Sequence, residues 1–299
     1  MAPTRAIQGQ ATKLSRTIHG LDYDPVNDEI VAPVYEGGAI LVFRGGADGA
    51  EAPIRVIQGD RTMMLGPQTA TVDPVNDELY VGDPSSGSIL VYARDANGNV
   101  PPKRVLRGPK TGLRLVLGIA IDTKRNLLVV SNHALVVKSD IARGIYIFNR
   151  TDSGDVAPQR VITGVETGIG RSRQIVLDSE RGKIYLGVMS TNFAAGRPYI
   201  EDQPRKDLIW DRVEKVDSRK PSWSTDTHGF VGVWDINDHG NVAPRAVIKG
   251  FSTGLETCFG VDIDPKEGLI MAVGRQMYTT YLVPQFFTEG FWHRKGTEP

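Results

Sequence analysis

Cysteine is almost absent from this chain, since Cys258 is the one cysteine among 299 residues. A single thiol excludes an internal disulfide framework and a zinc site built from cysteines. It does not identify a compartment, because a cleaved, exported protein of the periplasm or cell exterior can have the same composition. The sequence therefore leaves localisation open.

Excess charge and long apolar runs are also missing. The 35 Lys and Arg residues balance the 35 Asp and Glu residues, which removes the basic field expected of a protein that binds nucleic acid. No apolar run approaches the roughly 18 residues of a membrane span. The start "MAPTRAIQGQ" lacks the basic and apolar parts of a signal peptide. The sequence as given predicts a soluble protein with no membrane span and no nucleic-acid partner.

A repeat fills most of the chain. Relatives of the segment at 3–12, "PTRAIQGQAT", recur at 53–62, 102–111, 158–167 and 244–253. Within the second unit, turn-forming residues separate four β-rich runs at 69–72, 79–82, 88–92 and 103–106. Four antiparallel strands repeated at about 49 residues are typical of a propeller blade, and we label these strands A to D from the axis outwards.

The last unit predicts how the repeats close. Units begin at Gly20, Thr69, Gly118, Gln174 and Gly260, but the last has no strand D of its own. Residues 3–9 would supply it, so that two exposed sheet edges disappear. The sequence thus predicts one all-β domain over 1–299. This domain is a five-bladed β-propeller of four-stranded antiparallel blades, closed by the N-terminal strand, with a long insertion in blade four.

Three stretches carry a family resemblance: "GLDYDPVNDEIVAP", "GIAIDTKRNLLVVSN" and "GVDIDPKEGLIMAV". They resemble the NHL-repeat type of β-propeller, over nearly the whole chain and with five units instead of the commoner six. The resemblance implies the fold, while the family includes both binding scaffolds and lactonase-like hydrolases and lyases. Its lactonase-like members hold a divalent cation near the axis through carboxylate and amide side chains.

The connections between strands differ in their variability. The A-to-B and C-to-D turns repeat the same turn-forming residues, whereas the B-to-C connections vary freely. Because variable loops on a rigid scaffold often carry function, we expect the working face on the side of the D-to-A and B-to-C connections. The longest, 189–228, predicts a lid with a short helix at 205–216, or else a surface excursion that packs on neighbouring loops.

Polar residues on that side are candidates for a site at the channel mouth. Their arginines suggest an anionic or carboxylate ligand, with surface exposure as the alternative explanation for each. The candidate ligand-binding residues are Arg16, Gln68, Arg114, Arg171, Arg173 and Arg275. Acid, base or metal-ligating candidates are His19, His133, His228 and Glu36.

Two carboxylates interrupt the small residues that face the axis on the A strands. Asp22 and Asp262 belong to ring neighbours, so a closed ring would bring them together, where they would share a proton or bind a cation such as calcium. The alternative is that each accepts backbone hydrogen bonds or contacts channel water.

The C-terminal tail, 286–299, is too apolar at its start for a free tail. Phe286, Phe287, Phe291 and Trp292 would pack as a plug under the ring or dock on another protein. We therefore predict a scaffold that binds a small-molecule or protein ligand at the channel mouth. The alternative is a lactonase-like hydrolase or lyase with a divalent cation near the channel axis.

Overall fold

The computed structural model describes residues 3–15, 18–133, 143–189, 229–250, 253, 255, 257–274 and 278–292. The strands form five successive antiparallel sheets, and within each sheet the neighbouring strands follow chain order. The predicted fold class, an all-β five-bladed β-propeller, is confirmed. The first three sheets belong mainly to one compact unit and the last two to a second.

Among the described residues, the first unit contains most of the first three sheets. The first sheet contains β1 Asp22–Asp24, β2 Glu29–Val34, β3 Ala39–Arg44 and β4 Arg55–Gln58. The second contains β5 Thr69–Asp73, β6 Glu78–Asp83, β7 Ser88–Ala93 and β8 Arg104–Leu106. The third contains β9 Leu115–Asp122, β10 Leu127–His133, β11 Gly144–Asn149 and β12 Arg160–Ile162. The β-rich runs of the second repeat unit are thus confirmed as β5 to β8.

The second unit contains the remaining strands. The fourth sheet contains β13 Ser172–Asp178, β14 Lys183–Val188, β15 Phe230–Asp235 and β16 Ala246–Lys249. The fifth contains β17 Gly260–Asp264, β18 Leu269–Val273 and β19 Tyr278–Leu282. Among the described residues the fifth sheet has three strands, as its repeat unit predicted. The 189–228 insertion lies outside the described residues except for Met189, which follows β14.

Strands B and C of the second and third sheets are buried on both faces. Every residue of β6 and of β10 is buried, and β7 is buried up to its last residue. A sheet that packs on both faces needs continuous hydrophobic runs rather than alternation, which explains segments such as "SILVY" and "GIYIF". The core of the second and third sheets includes Tyr80, Val91, Val130 and Phe148.

The A-to-B turns explain the recurring Asp of the repeat. The carboxylate of Asp73 accepts hydrogen bonds from the amides of Val75 and Asn76, and Asp24 does the same for Val26 and Asn27. This local pattern lets an Asp side chain replace a backbone acceptor in a tight turn. The last residue of the turn has a positive φ in each of the five sheets. These residues are Asp28, Asp77, Asn126, Gly182 and Gly268.

The N-terminal segment lies against the first sheet. Ile7 forms a parallel bridge with Gly49, and the amide of Gln8 donates to the Gly49 carbonyl over 2.8 Å. Pairing with the fifth sheet would join the two compact units, and this closure stays a prediction.

The C-terminal segment folds onto the core of the second unit. A 3-10 turn at Pro284–Phe287 precedes a single helical turn at Glu289–Trp292. Phe286 and Phe287 are 7% and 5% exposed, and Phe287 stacks on Tyr185 at 5.8 Å between ring centroids. The core of the second unit thus covers these two side chains, and docking of the tail on another protein stays a prediction. Phe291 and Trp292 are partly buried and pack on the same cluster. No helix in the described part of the chain has the length and apolar character needed to cross a bilayer.

Candidate functional site

A threonine organises each D-to-A connection, and it is fully buried in all of them but the last, where it is half-buried. Its hydroxyl donates to the carbonyl of the glycine three residues earlier, over 2.5–2.7 Å, and accepts the amide two residues later. These threonines are Thr12, Thr62, Thr111, Thr167 and Thr253. The D-to-A connections, which the sequence assigned to the working face, are therefore regular structural turns at their start.

The C-to-D connections cap these turns. The side-chain oxygen of Asn99 accepts the amide of Arg61 over 2.9 Å, and Asp155 accepts the amide of Lys110 over 2.7 Å. In both cases the capping residue belongs to the next sheet along the chain. Within the second unit, Asn241 caps Glu166 in the same way over 2.8 Å. Turn-forming residues that looked purely local thus also join neighbouring elements.

Two polar residues at the ends of B strands hold the D-to-A connections in place. The buried carboxylate of Asp83 accepts the amides of Leu65 and Gly66, at 2.6 and 3.0 Å. In the third sheet, the amide side chain of Asn132 accepts from Arg114 and donates to Gly112, both over 2.9 Å. These structural roles were not recognised in the sequence.

The first unit holds several predicted site residues. Arg114 is exposed, and Gln68 is half-buried with its backbone paired to Gly20 and Gly82. His133 ends β10 and is only 3% exposed, and its place in a site at the channel mouth stays a prediction.

Two further candidates of the first unit lie nearer the surface. His19 is half-buried, while exposed Glu36 accepts a hydrogen bond from the Ser15 hydroxyl over 2.8 Å. Arg16, His228 and Arg275 lie outside the described residues.

The two carboxylates proposed to bind a cation have backbone partners. Asp22 accepts the amides of Tyr23 and Val72, at 2.9 and 2.8 Å, and thereby joins β1 to β5. Asp262 accepts the amide of Ile263 over 2.9 Å. This is the structural alternative that the sequence left open. Among the described residues there is no cluster of three or more His, Cys, Asp or Glu side chains placed to hold a metal ion. The axial cation and the hydrolase alternative therefore stay predictions.

The second unit brings two predicted arginines together. Arg171 and Arg173 flank the fully buried Ser172 at the start of β13, and both are half-buried. The Arg173 guanidinium lies 5.8 Å from the ring centroid of Phe259. Burial lowers the pKa of Arg173, and the charge of Arg171 lowers it further. Two like charges thus share a partly desolvated position at the end of a D-to-A connection.

The arginine pair lies at the base of the long B-to-C insertion. The backbone carbonyl of Arg171 accepts the amide of Met189 over 2.7 Å, and Met189 is the residue from which the insertion leaves β14. Both arginines also interact with other groups of the chain. The sequence identified these residues individually but did not predict that both would be half-buried at the start of the insertion.

A serine-hydrolase pattern occurs at 250–254, "GFSTG", which has the letters GxSxG. The Thr253 hydroxyl donates to the Gly250 carbonyl, as in the turns of the other sheets. A nucleophile elbow needs a strand-turn-helix setting, whereas the described residues Gly250 and Thr253 pair in the turn that the repeat uses after its outer strand. Ser252 itself lies outside the described residues.

Comparison with known proteins does not assign the chain to a family. No protein-family model matches it, and a search of curated proteins returns no match. The β-propeller fold accordingly stands on the structure, and the NHL type of repeat stays an interpretation of the sequence.

Proposed function

We propose that this chain is a ligand-binding β-propeller whose site includes Arg171 and Arg173 and accepts a carboxylate. One observation carries the proposal: the two arginines flank the buried Ser172, both are half-buried, and the Arg171 carbonyl pairs with Met189 at the point where the 189–228 insertion leaves β14. A bound anion would add a counter-charge to this partly desolvated pair of like charges.

The chemistry of the pair favours a carboxylate. Each guanidinium offers a planar fork of N–H donors that matches the two oxygens of a carboxylate. The neighbouring Phe259 ring supplies an apolar surface next to Arg173. Because both arginines have other interactions within the chain, the ligand would share these donors with the protein.

The position of the pair supports a binding role. It lies where the most variable B-to-C connection of the sequence begins, whereas the repeated turns elsewhere are used to join sheets. Loops held by a rigid scaffold are the usual place for ligand contacts. A small molecule or an acidic side chain of a protein partner would present the same carboxylate.

The test is a titration of the full chain with malonate and with benzoate at constant ionic strength. We expect both to raise the melting temperature, and Arg173→Gln to weaken binding about tenfold to a hundredfold, because a charge-assisted hydrogen bond contributes about 1.5–3 kcal/mol. Arg107→Gln, which removes an exposed arginine of the first unit, is the control. Equal binding by the Arg173 variant and the wild type would refute the proposal.

A further inference from the structure

The N-terminal segment is attached differently from the internal segments that it resembles. Outer strands β4 and β8 are each contacted by the C-to-D connection of the next sheet. A glycine bridges the strand in parallel, through Ile57 to Gly98 and through Leu106 to Gly154. The next residue, Asn99 or Asp155, then caps the turn that follows the strand.

The N-terminal segment has the bridge but not the cap. Ile7 pairs with Gly49, and the Gly49 amide donates to the Ala6 carbonyl over 2.9 Å. Asp48 also accepts the Ala6 amide over 2.9 Å. The capping position is occupied by Ala50, whose methyl group cannot accept a hydrogen bond from the turn at Gln10–Thr12.

Burial shows the same contrast. Ile57 and Ile162 are fully buried and Leu106 is 1% exposed, whereas Ile7 is only half-buried. Ile7 lies along an apolar groove of about 740 Å³ in the first unit. Other apolar residues that line this groove are Leu14, Ile18, Leu21, Ile30, Ala32 and Phe43.

We infer that residues 3–9 form a displaceable strap, which opens from the groove while the sheets of the first unit stay folded. A few hydrogen bonds on exposed backbone hold the strap. In two other repeats an Asn or Asp side chain accepts an amide of the turn after the outer strand, and Ala50 cannot do so for the turn at Gln10–Thr12. Segments with few buried contacts and exposed hydrogen bonds open locally at low free energy. Ala50 is thus the position that sets how readily the groove is uncovered.

The inference is independent of the arginine site and is tested by hydrogen exchange on the full chain. We expect amides in 3–9 to exchange at least tenfold faster than those in 55–58 and 104–107. Ala50→Asn should slow exchange over 6–12 about fivefold, because it restores the cap found at Asn99. Ala50→Asp serves as a second version of the same repair, since Asp155 caps the equivalent turn.

Asn99→Ala is the matched control, and it should speed exchange over 55–62 while leaving 3–9 unchanged. The inference fails if residues 3–9 exchange as slowly as 55–58 in the wild type. It also fails if neither Ala50 variant slows exchange while Asn99→Ala speeds it, because the missing cap would then not explain the weak attachment.

Discussion

The same position in two repeats is occupied by opposite charges. In the second sheet, β6 begins at Glu78, which is 4% exposed and binds Arg104 and Arg150 at 2.6 and 2.7 Å. In the fourth sheet, β14 begins at Lys183, which is 7% exposed and binds Asp235 over 2.5 Å. Leucine begins the equivalent strand in the third and fifth sheets, so the position accepts an apolar side chain or a charge of either sign that is neutralised locally.

The two positions also differ in what covers them. Arg150 reaches Glu78 from the third sheet, so the ion pair joins two sheets of the first unit. Over Lys183 lies the ring of Trp292, 5.1 Å from the ammonium group, and this residue comes from the C-terminal segment. Trp292, through a cation–π contact with Lys183, thus takes the place that Arg150 has beside Glu78 in the first unit.

The largest effect is expected from Glu78→Gln. Removing the carboxylate leaves two guanidinium groups without their main counter-charge in a poorly solvated position, which costs about 3–5 kcal/mol. Urea unfolding of the full chain measures the loss. Glu51→Gln is the control, because it breaks the pair with Arg44, whose side chain is 56% exposed, and should cost less than about 1 kcal/mol. Similar losses in both variants would show that burial does not strengthen the Glu78 interaction.

A somewhat smaller effect is expected from Phe287→Ala, at about 3 kcal/mol. The change removes a ring that is 5% exposed and stacked on Tyr185, and it leaves a cavity in the core of the second unit. Val165→Ala is the control, because Val165 is 80% exposed. A melting temperature equal to that of the control would show that the C-terminal segment does not contribute to this core.

The smallest effect near neutral pH is expected in the pH dependence of stability, to which the titration of Glu78 contributes. Burial by itself would raise the pKa of Glu78, but hydrogen bonds from Arg104, Tyr80 and Lys103 outweigh it and lower the pKa to about 2. A carboxylate whose pKa is lower when folded stabilises the protein above its unfolded pKa, near 4.5, and loses that contribution as the pH falls towards 2. The stability difference between wild type and Glu78→Gln should therefore be constant from pH 7 to 5 and shrink below pH 4.5. A stability difference between the two proteins that is as large at pH 2.5 as at pH 7 would contradict the assigned pKa.

The sequence predicted the strands well because their signals are local. The run at 79–82 became β6, and the recurring Asp73 proved to be the acceptor of its own turn. The caps could not be predicted in this way, since Asn99 is read as a turn residue whether or not it also reaches Arg61, 38 positions earlier.

The candidate site shows the same limit. The residue types were found from the sequence, but the half-burial of Arg171 and Arg173 and the approach of Phe259 to Arg173 depend on packing against segments far along the chain. Burial of Phe286 was one of two alternatives, and the sequence could not decide between them because it does not show which surface an apolar tail meets.

The parallel bridges at Gly98 and Gly154 have a consequence for solubility. Strands β4 and β8 are the outer edges of their sheets, and an open edge offers unpaired amides and carbonyls to any other strand. The amide of Gln58 donates to Gly98, and the amide of Arg107 donates to Gly154, so part of each edge is already paired within the chain. Glycine suits this role, because its φ is positive here and its lack of a side chain lets two backbones meet. The repeat thus protects each of these edges from edge-to-edge aggregation without adding a strand.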